Sequence, residues 1–152
     1  MKSPRTYVRD GGLLHALLGI GNMVDLAGHP VVGKSWEGFV IESLLAAAPE
    51  QTKASFYATS AGAEIDLVLE LGGTRGLWAI EIKRGLTVKP ERGFCHSLKD
   101  LKHAKSFVGH AGKDRYPFGE GIEAISLREL AEELATSCFG GQAEGAFSFV
   151  RN

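Results

Sequence analysis

Residues 64–71 (EIDLVLEL) and 77–83 (LWAIEIK) constrain the fold more than any other part of the chain. Each alternates apolar and polar side chains, the period of a strand with one buried face. Ile65, Leu67, Leu69 and Leu71 share one face of the first, and Trp78, Ile80 and Ile82 one face of the second. Gly72, Gly73 and Gly76 supply a turn between them, so the pair reads as an antiparallel hairpin. A one-residue slip would invert every side chain, so apolar residues must oppose apolar residues. That register sets Ile65 against Ile82, Leu67 against Ile80 and Leu69 against Trp78. It also sets Asp66 against Glu81 and Glu64 against Lys83 on the opposite face.

Two opposed carboxylates repel and raise each other's pKa unless a positive group sits between them. A hard divalent cation, Mg²⁺ or Mn²⁺, suits such a pair, because Mg²⁺ keeps several waters and is commonly held by one or two carboxylates. It would activate a bound water and neutralise charge on a phosphate, with Lys83 placed to orient the water or hold a phosphate oxygen. The alternative is a surface ion-pair ladder in which Glu64 and Glu81 pair with Lys83.

The rest of the chain predicts one α/β domain over residues 1–138, with a helical lead-in (1–32), a core (33–135) and a loosely held tail (139–152). Residues 2–9 read as a short extended segment. Asp10 caps a helix through Leu13, Leu14, Leu17 and Leu18. Residues 22–32 read as irregular around Pro30. A long helix starts at Ser35, with Trp36, Val40, Leu44 and Ala47 as its apolar stripe, Phe39 widening it, and Pro49 ending it. Strands are predicted at 55–59, in the hairpin, at 106–108 and at 122–125. Helices are predicted at 93–105 and, after a Ser126-x-x-Glu129 capping box, through Leu127, Leu130 and Leu134. The stretch GKDRYPFGEG (112–121) reads as a polar loop. The helix between the third and fourth strands argues for a parallel crossover, giving a mixed sheet with helices on both faces.

Bulk properties exclude several function classes. The net charge is −1, so the chain does not coat nucleic acid by overall charge; contacts would be local, at Lys83-Arg84, 89–92 or 99–105. No segment is long and apolar enough to span a bilayer and no signal peptide opens the chain, so the expected setting is cytoplasmic, without membrane contact. Cys95 and Cys138 form no paired spacing. His96, His103 and His110 recur every seventh residue, but without a cysteine pair they read as solvent-exposed rather than as zinc ligands. Residues 28–35 fit the phosphate-loop pattern through Gly28, Gly33, Lys34 and Ser35. A working loop needs a buried strand feeding it, and residues 22–27 are too short and polar to be one. Gly33 is therefore read as easing the turn into the helix and Ser35 as capping it, with ATP binding kept as an alternative.

Asp66, a hairpin, then Glu81-Ile82-Lys83 resembles the signature of the PD-(D/E)xK, or restriction-endonuclease-like, superfamily. That resemblance implies an αβββαβ core and Mg²⁺-dependent DNA phosphodiester hydrolysis by Asp66, Glu81 and Lys83 with a helix acid. Glu37 in Gly33-Lys-Ser-Trp-Glu37 supplies the acid, Glu42 is in reserve, and Lys83 and Arg84 would meet the substrate. Lys2-x-Pro4, Tyr7, Asp10 and Gly12-Leu13, followed by Gly33, Trp36-Glu37, Glu64-Ile65-Asp66 and Glu81-Ile82-Lys83, are similar to a bacterial and archaeal module that follows an AAA+-type P-loop ATPase domain. The resemblance spans residues 2–135. It implies a P-loop ATPase domain in cis or in trans as partner, DNA as the candidate ligand, and a chain that is a fragment or a split gene product. Two departures stand out: Ile65 replaces the proline of the superfamily name, and Ala58 stands where the module often carries a basic residue. A catalytically inactive nuclease-fold module that binds DNA or protein is the alternative.

Overall fold

The computed structural model describes residues 10–59 and 62–136. The segment predicted at 2–9, its Lys2, Pro4 and Tyr7, Cys138 and the tail at 139–152 lie outside the described residues. Three helices lead in: α1 (Gly11–Leu17), α2 (Met23–Gly28) and α3 (Val32–Ala47). Strands β1 (Lys53–Ala58), β2 (Glu64–Glu70) and β3 (Leu77–Lys83) follow, then α4 (Arg92–Asp100), β4 (Lys105–His110), β5 (Tyr116–Gly119), β6 (Ile122–Ser126) and α5 (Leu127–Thr136). The sheet has six strands in the order β1-β2-β3-β4-β6-β5. β1, β2 and β3 pair antiparallel, β3 with β4 and β4 with β6 parallel, and β5 with β6 antiparallel. This is the α/β architecture and the αβββαβ order expected from sequence, extended by a β5–β6 hairpin and α5.

Each face of the sheet carries its own core. On one, Val40, Ile41 and Leu44 of α3 and Leu130 and Leu134 of α5 pack on Leu67, Leu69, Trp78, Ile80, Ile82, Phe107 and Ile125. On the other, Phe94 and Leu98 of α4 pack on Ile65, Val68, Ala79, Val108, Ile122 and Ala124. Both faces of β3 and β4 are covered, so successive residues such as Trp78, Ala79 and Ile80, or Phe107 and Val108, are all buried. The crossover through α4 delivers β4 parallel to β3, and its last turn ends at Leu101, four residues before β4 begins.

The β2–β3 turn uses Gly72, Gly73 and Gly76 at positive φ around a single 3₁₀ turn (Gly73–Arg75). At Gly76 a side chain would also collide with the Ala104 methyl, at 2.9 Å. The hairpin register is the expected one, Leu67 opposite Ile80 and Leu69 opposite Trp78.

Four expectations need correction. Ile65 does not share a face with Leu67. The β1–β2 ladder shifts between Ser55 and Tyr57, so that Asp66 and Leu67 together oppose Phe56. This bulge resets the alternation and sends Ile65 to the α4 side. Residues 22–32 are not wholly irregular: Asn22 caps α2 by accepting the Asp25 N–H at 2.9 Å, and Pro30 stands beyond its end. The predicted loop at 112–121 contains β5, a short edge strand in which Pro117, lacking an N–H, lies opposite Glu123. Finally, α3 starts at Val32, before Ser35, and its buried stripe is Glu37, Val40, Ile41 and Leu44, while Phe39 is exposed.

Candidate functional site

Asp66, Glu81 and Lys83 meet around the last residues of β3. Glu81 follows Ala79 on the α4 face, and the start of α4 lies over it. The Glu91 main-chain N–H, just before α4, donates to both Glu81 oxygens at 3.3 and 3.1 Å. Glu81 is 4% exposed, and Lys83 Nζ lies 3.0 Å from its Oε1. Lys83 also pairs with the exposed Glu91 carboxylate.

The pair is electrostatically asymmetric. Burial pushes the Glu81 carboxyl above its ordinary value, and the bonds from Lys83 and the Glu91 N–H offset only part of this. Burial pulls Lys83 downward, but its bonds to Glu91 and Glu81 outweigh that and leave it raised. Lys83 therefore holds its proton firmly, while Glu81 carries its charge under tension. That is the condition in which an added cation stabilises a carboxylate most.

Asp66 reaches the same strand from β2. Its Oδ2 accepts the Ile82 N–H at 2.9 Å, so its carboxylate stands at the Glu81–Ile82 peptide. The bulge at Asp66–Leu67 accounts for this, since it takes Asp66 out of simple alternation at the point where the β2–β3 register reaches Glu81. Glu64, expected opposite Lys83, is half-buried and paired across to Ala58 of β1.

Glu37 approaches through α3. It occupies the buried stripe, is 8% exposed and pairs with Lys34 at 2.6 Å. Its neighbour Trp36 ties α3 to the strand end, donating from Nε1 to the Lys83 carbonyl at 3.2 Å. Glu42 and Arg84 lie elsewhere. Both line a cavity of about 1060 Å³ between α1, α2 and α3, walled mainly by apolar residues such as Leu14, Leu26 and Phe39. Among the described residues, no three His, Cys, Asp or Glu stand close enough together to hold a metal ion as they are. Asp66 and Glu81 nevertheless offer hard oxygen donors on adjoining residues, and the raised pKa of Glu81 fits a cation-seeking group.

The phosphate-loop stretch takes another form. Gly28 ends α2, and Gly33, Lys34 and Ser35 fall in the first turns of α3, so a helix rather than a strand precedes the loop. Ser35 does not cap α3: the N-cap is Val31, without a side-chain bond, and Ser35 Oγ bonds His15 Nε2 at 2.7 Å. Lys34 is engaged by Glu37.

Sequence reasoning missed two contributors. Glu91 was hidden because its main chain acts on Glu81, which no residue pattern announces. His110 was taken as exposed, yet it is fully buried at the end of β4, where it pairs in register with Lys83. The alternation Val108, His110 on the α4 face was the legible signal, missed because the expected strand stopped at residue 108.

A family model described as "Domain of unknown function (DUF4143)" matches residues 32–130, from the start of α3 into α5. "Uncharacterized protein Rv2008c" of Mycobacterium tuberculosis and "Uncharacterized protein Mb2031c" of Mycobacterium bovis are each 39% identical to this chain over 129 residues. The match covers 85% of this chain and 29% of each relative, so the chain spans under a third of the length of these curated relatives. No solved structure matches it. The chain belongs to the DUF4143 family.

Proposed function

We propose that this DUF4143 domain is a nuclease-like module whose centre, at the end of β3, hydrolyses DNA phosphodiesters with a divalent metal. The observation that carries the reading is Glu81: a buried carboxylate with a raised pKa, between a protonated lysine and a second carboxylate at the adjoining peptide. Asp66 and Glu81 would hold Mg²⁺ or Mn²⁺, with Glu37 as the outer acid. When bound, the metal would lower the pKa of a water and offset charge on the phosphate. Lys83, kept protonated by Glu81 and Glu91, would orient the water or hold a phosphate oxygen. The Glu91 N–H and the Ile82 N–H hold the two carboxylates in place.

The test is nicking of supercoiled and branched DNA in Mg²⁺ or Mn²⁺. Activity that Asp66→Ala abolishes, with folding intact, supports the reading. Metal-dependent activity unchanged by that substitution removes it.

A second reading has its own support. The absence, among the described residues, of a ready three-ligand group favours an inactive nuclease-fold module that binds DNA or protein. It would serve a larger assembly, such as one with a P-loop ATPase domain in cis or in trans, and the much greater length of the mycobacterial relatives leaves room for one. Binding that survives Asp66→Ala, without hydrolysis, would select this reading. ATP binding through Lys34 is the weakest alternative, because the strand that would feed a phosphate loop is replaced by α2.

A further inference from the structure

Helices α1 and α2 are short, seven and six residues, and neither buries a residue. Helices of that length do not hold themselves in water, so their stability must come from packing. The side chains they turn to solvent are nonetheless apolar. Leu17 of α1, Met23 and Val24 of α2 and Phe39 of α3 are 73%, 77%, 81% and 58% exposed, and Leu13 and Leu18 add to them. At about 150–250 Å² for a large side chain in full exposure, these leave on the order of 700 Å² uncovered. That exceeds the roughly 300–600 Å² of the largest patch on a typical monomer. It comes close to the roughly 800 Å² that each partner buries in a standard interface.

These residues stand around one hollow, the cavity of about 1060 Å³ between α1, α2 and α3, whose wall includes Leu14, Met23, Leu26 and Phe39. Leu14, Leu17 and Leu18 are spaced i, i+3 and i+4, so the exposed leucines continue the wall outward on one face of α1. The same surface thus carries a hollow and a projecting edge, which suits a two-fold interface, where each surface must complement itself. Charge does not oppose the pairing. The chain's net charge is −1. Within the face, the Asn22 amide donates to Asp25 at 2.8 Å and Lys34 pairs with Glu37 at 2.6 Å. Interface centres are depleted of charged residues in the same way.

We infer that this face is where two copies of the chain associate about a two-fold axis, with Leu17 and Leu18 of one copy seated in the hollow of the other. The association does not depend on the chemistry at the end of β3, although it borders it. Trp36 lines the hollow and also bonds the Lys83 carbonyl.

Sedimentation equilibrium in EDTA reads the association without metal or DNA. A dimer with Kd about 10 µM or tighter is expected. Leu17→Glu combined with Val24→Glu changes positions that are exposed in the single chain, so the far-UV spectrum should stay as it is. Association should weaken about a hundredfold or more, because both charges would be buried unpaired. Phe39→Ala introduces no charge and should weaken it about tenfold. Lys102→Glu, just past α4 on the opposite face of the sheet, should leave it unchanged. A chain that stays monomeric at about 100 µM would overturn the proposal. The face would then belong to further polypeptide, of the kind that makes up most of the length of the mycobacterial relatives. A dimer whose affinity is untouched by both the double variant and Phe39→Ala would overturn it as well, since the contact would lie elsewhere.

Discussion

Glu81→Gln should make the protein more stable at neutral pH. The side chain is 5% exposed, and its Oε1 lies 3.0 Å from Lys83 Nζ. At an effective dielectric near 20, attraction at that distance is about 5 kcal/mol, while removing each ion from water costs several kcal/mol. The two nearly cancel, and the raised Glu81 pKa decides the sign: burial outweighs its partners. Glutamine has the same shape and, with its oxygen at the Oε1 position, still accepts from Lys83 and the Glu91 N–H, losing only the second Glu91 bond, while Lys83 also keeps Glu91 as a partner. Because Lys83 stays paired with Glu91, removing the buried charge rather than leaving its partner alone is expected to yield on the order of 1 kcal/mol. For a chain of this size that is roughly 2–4 °C in Tm per kcal/mol.

The pH dependence isolates the cause. A carboxyl whose folded pKa is raised binds more protons folded than unfolded between its ordinary value of 4.5 and its folded value. Wild-type stability therefore falls as pH rises through that window. Below it Glu81 is protonated in both states, and the advantage of Gln should vanish. Calorimetric melting of both proteins at neutral pH and at pH below 4.5 reads the difference directly. A Gln variant that melts at or below the wild-type temperature at neutral pH would refute the argument that Glu81 is held charged against its burial.

Glu133 should behave in the opposite sense. Burial raises its pKa, but Lys105 and Arg115 outweigh burial and lower it. Its contribution is therefore present above pH 4.5 and lost as pH falls through the lowered folded value, and Glu133→Gln should cost less than about 1 kcal/mol at neutral pH in urea unfolding. Trp78→Ala empties the centre of the α3–α5 core, where Trp78 is 2% exposed and its ring centroid stands 5.4 Å from that of Phe107. It should cost about 3–5 kcal/mol, seen as a lower denaturation midpoint at unchanged slope.

What sequence made legible divides along a physical line. Period-two alternation is enforced by burial, so the β2–β3 register could be read from Leu67, Leu69, Trp78 and Ile80 alone. The same rule failed at Ile65, because a bulge belongs to the pairing of two strands and β1 carries no residue that announces it. That failure matters for the site. Strict alternation would have set Asp66 simply across from Glu81, whereas the bulge turns its carboxylate onto the Ile82 N–H. Glu37 shows the converse. Its position three and four residues before Val40 and Ile41 puts a carboxylate on the buried stripe of α3, and the helical period displays this once the stripe is drawn from buried positions rather than from Trp36 and Phe39. His110 reads as exposed because the strand expected at 106–108 stops short of it, whereas β4 runs on to His110 and buries it. The groups that local pattern placed well are those whose burial is set within one element. Those it misplaced are set by how neighbouring strands meet, Asp66 by the β1–β2 bulge and His110 by the full length over which β4 runs beside β3, and the candidate chemistry lies at the end of β3.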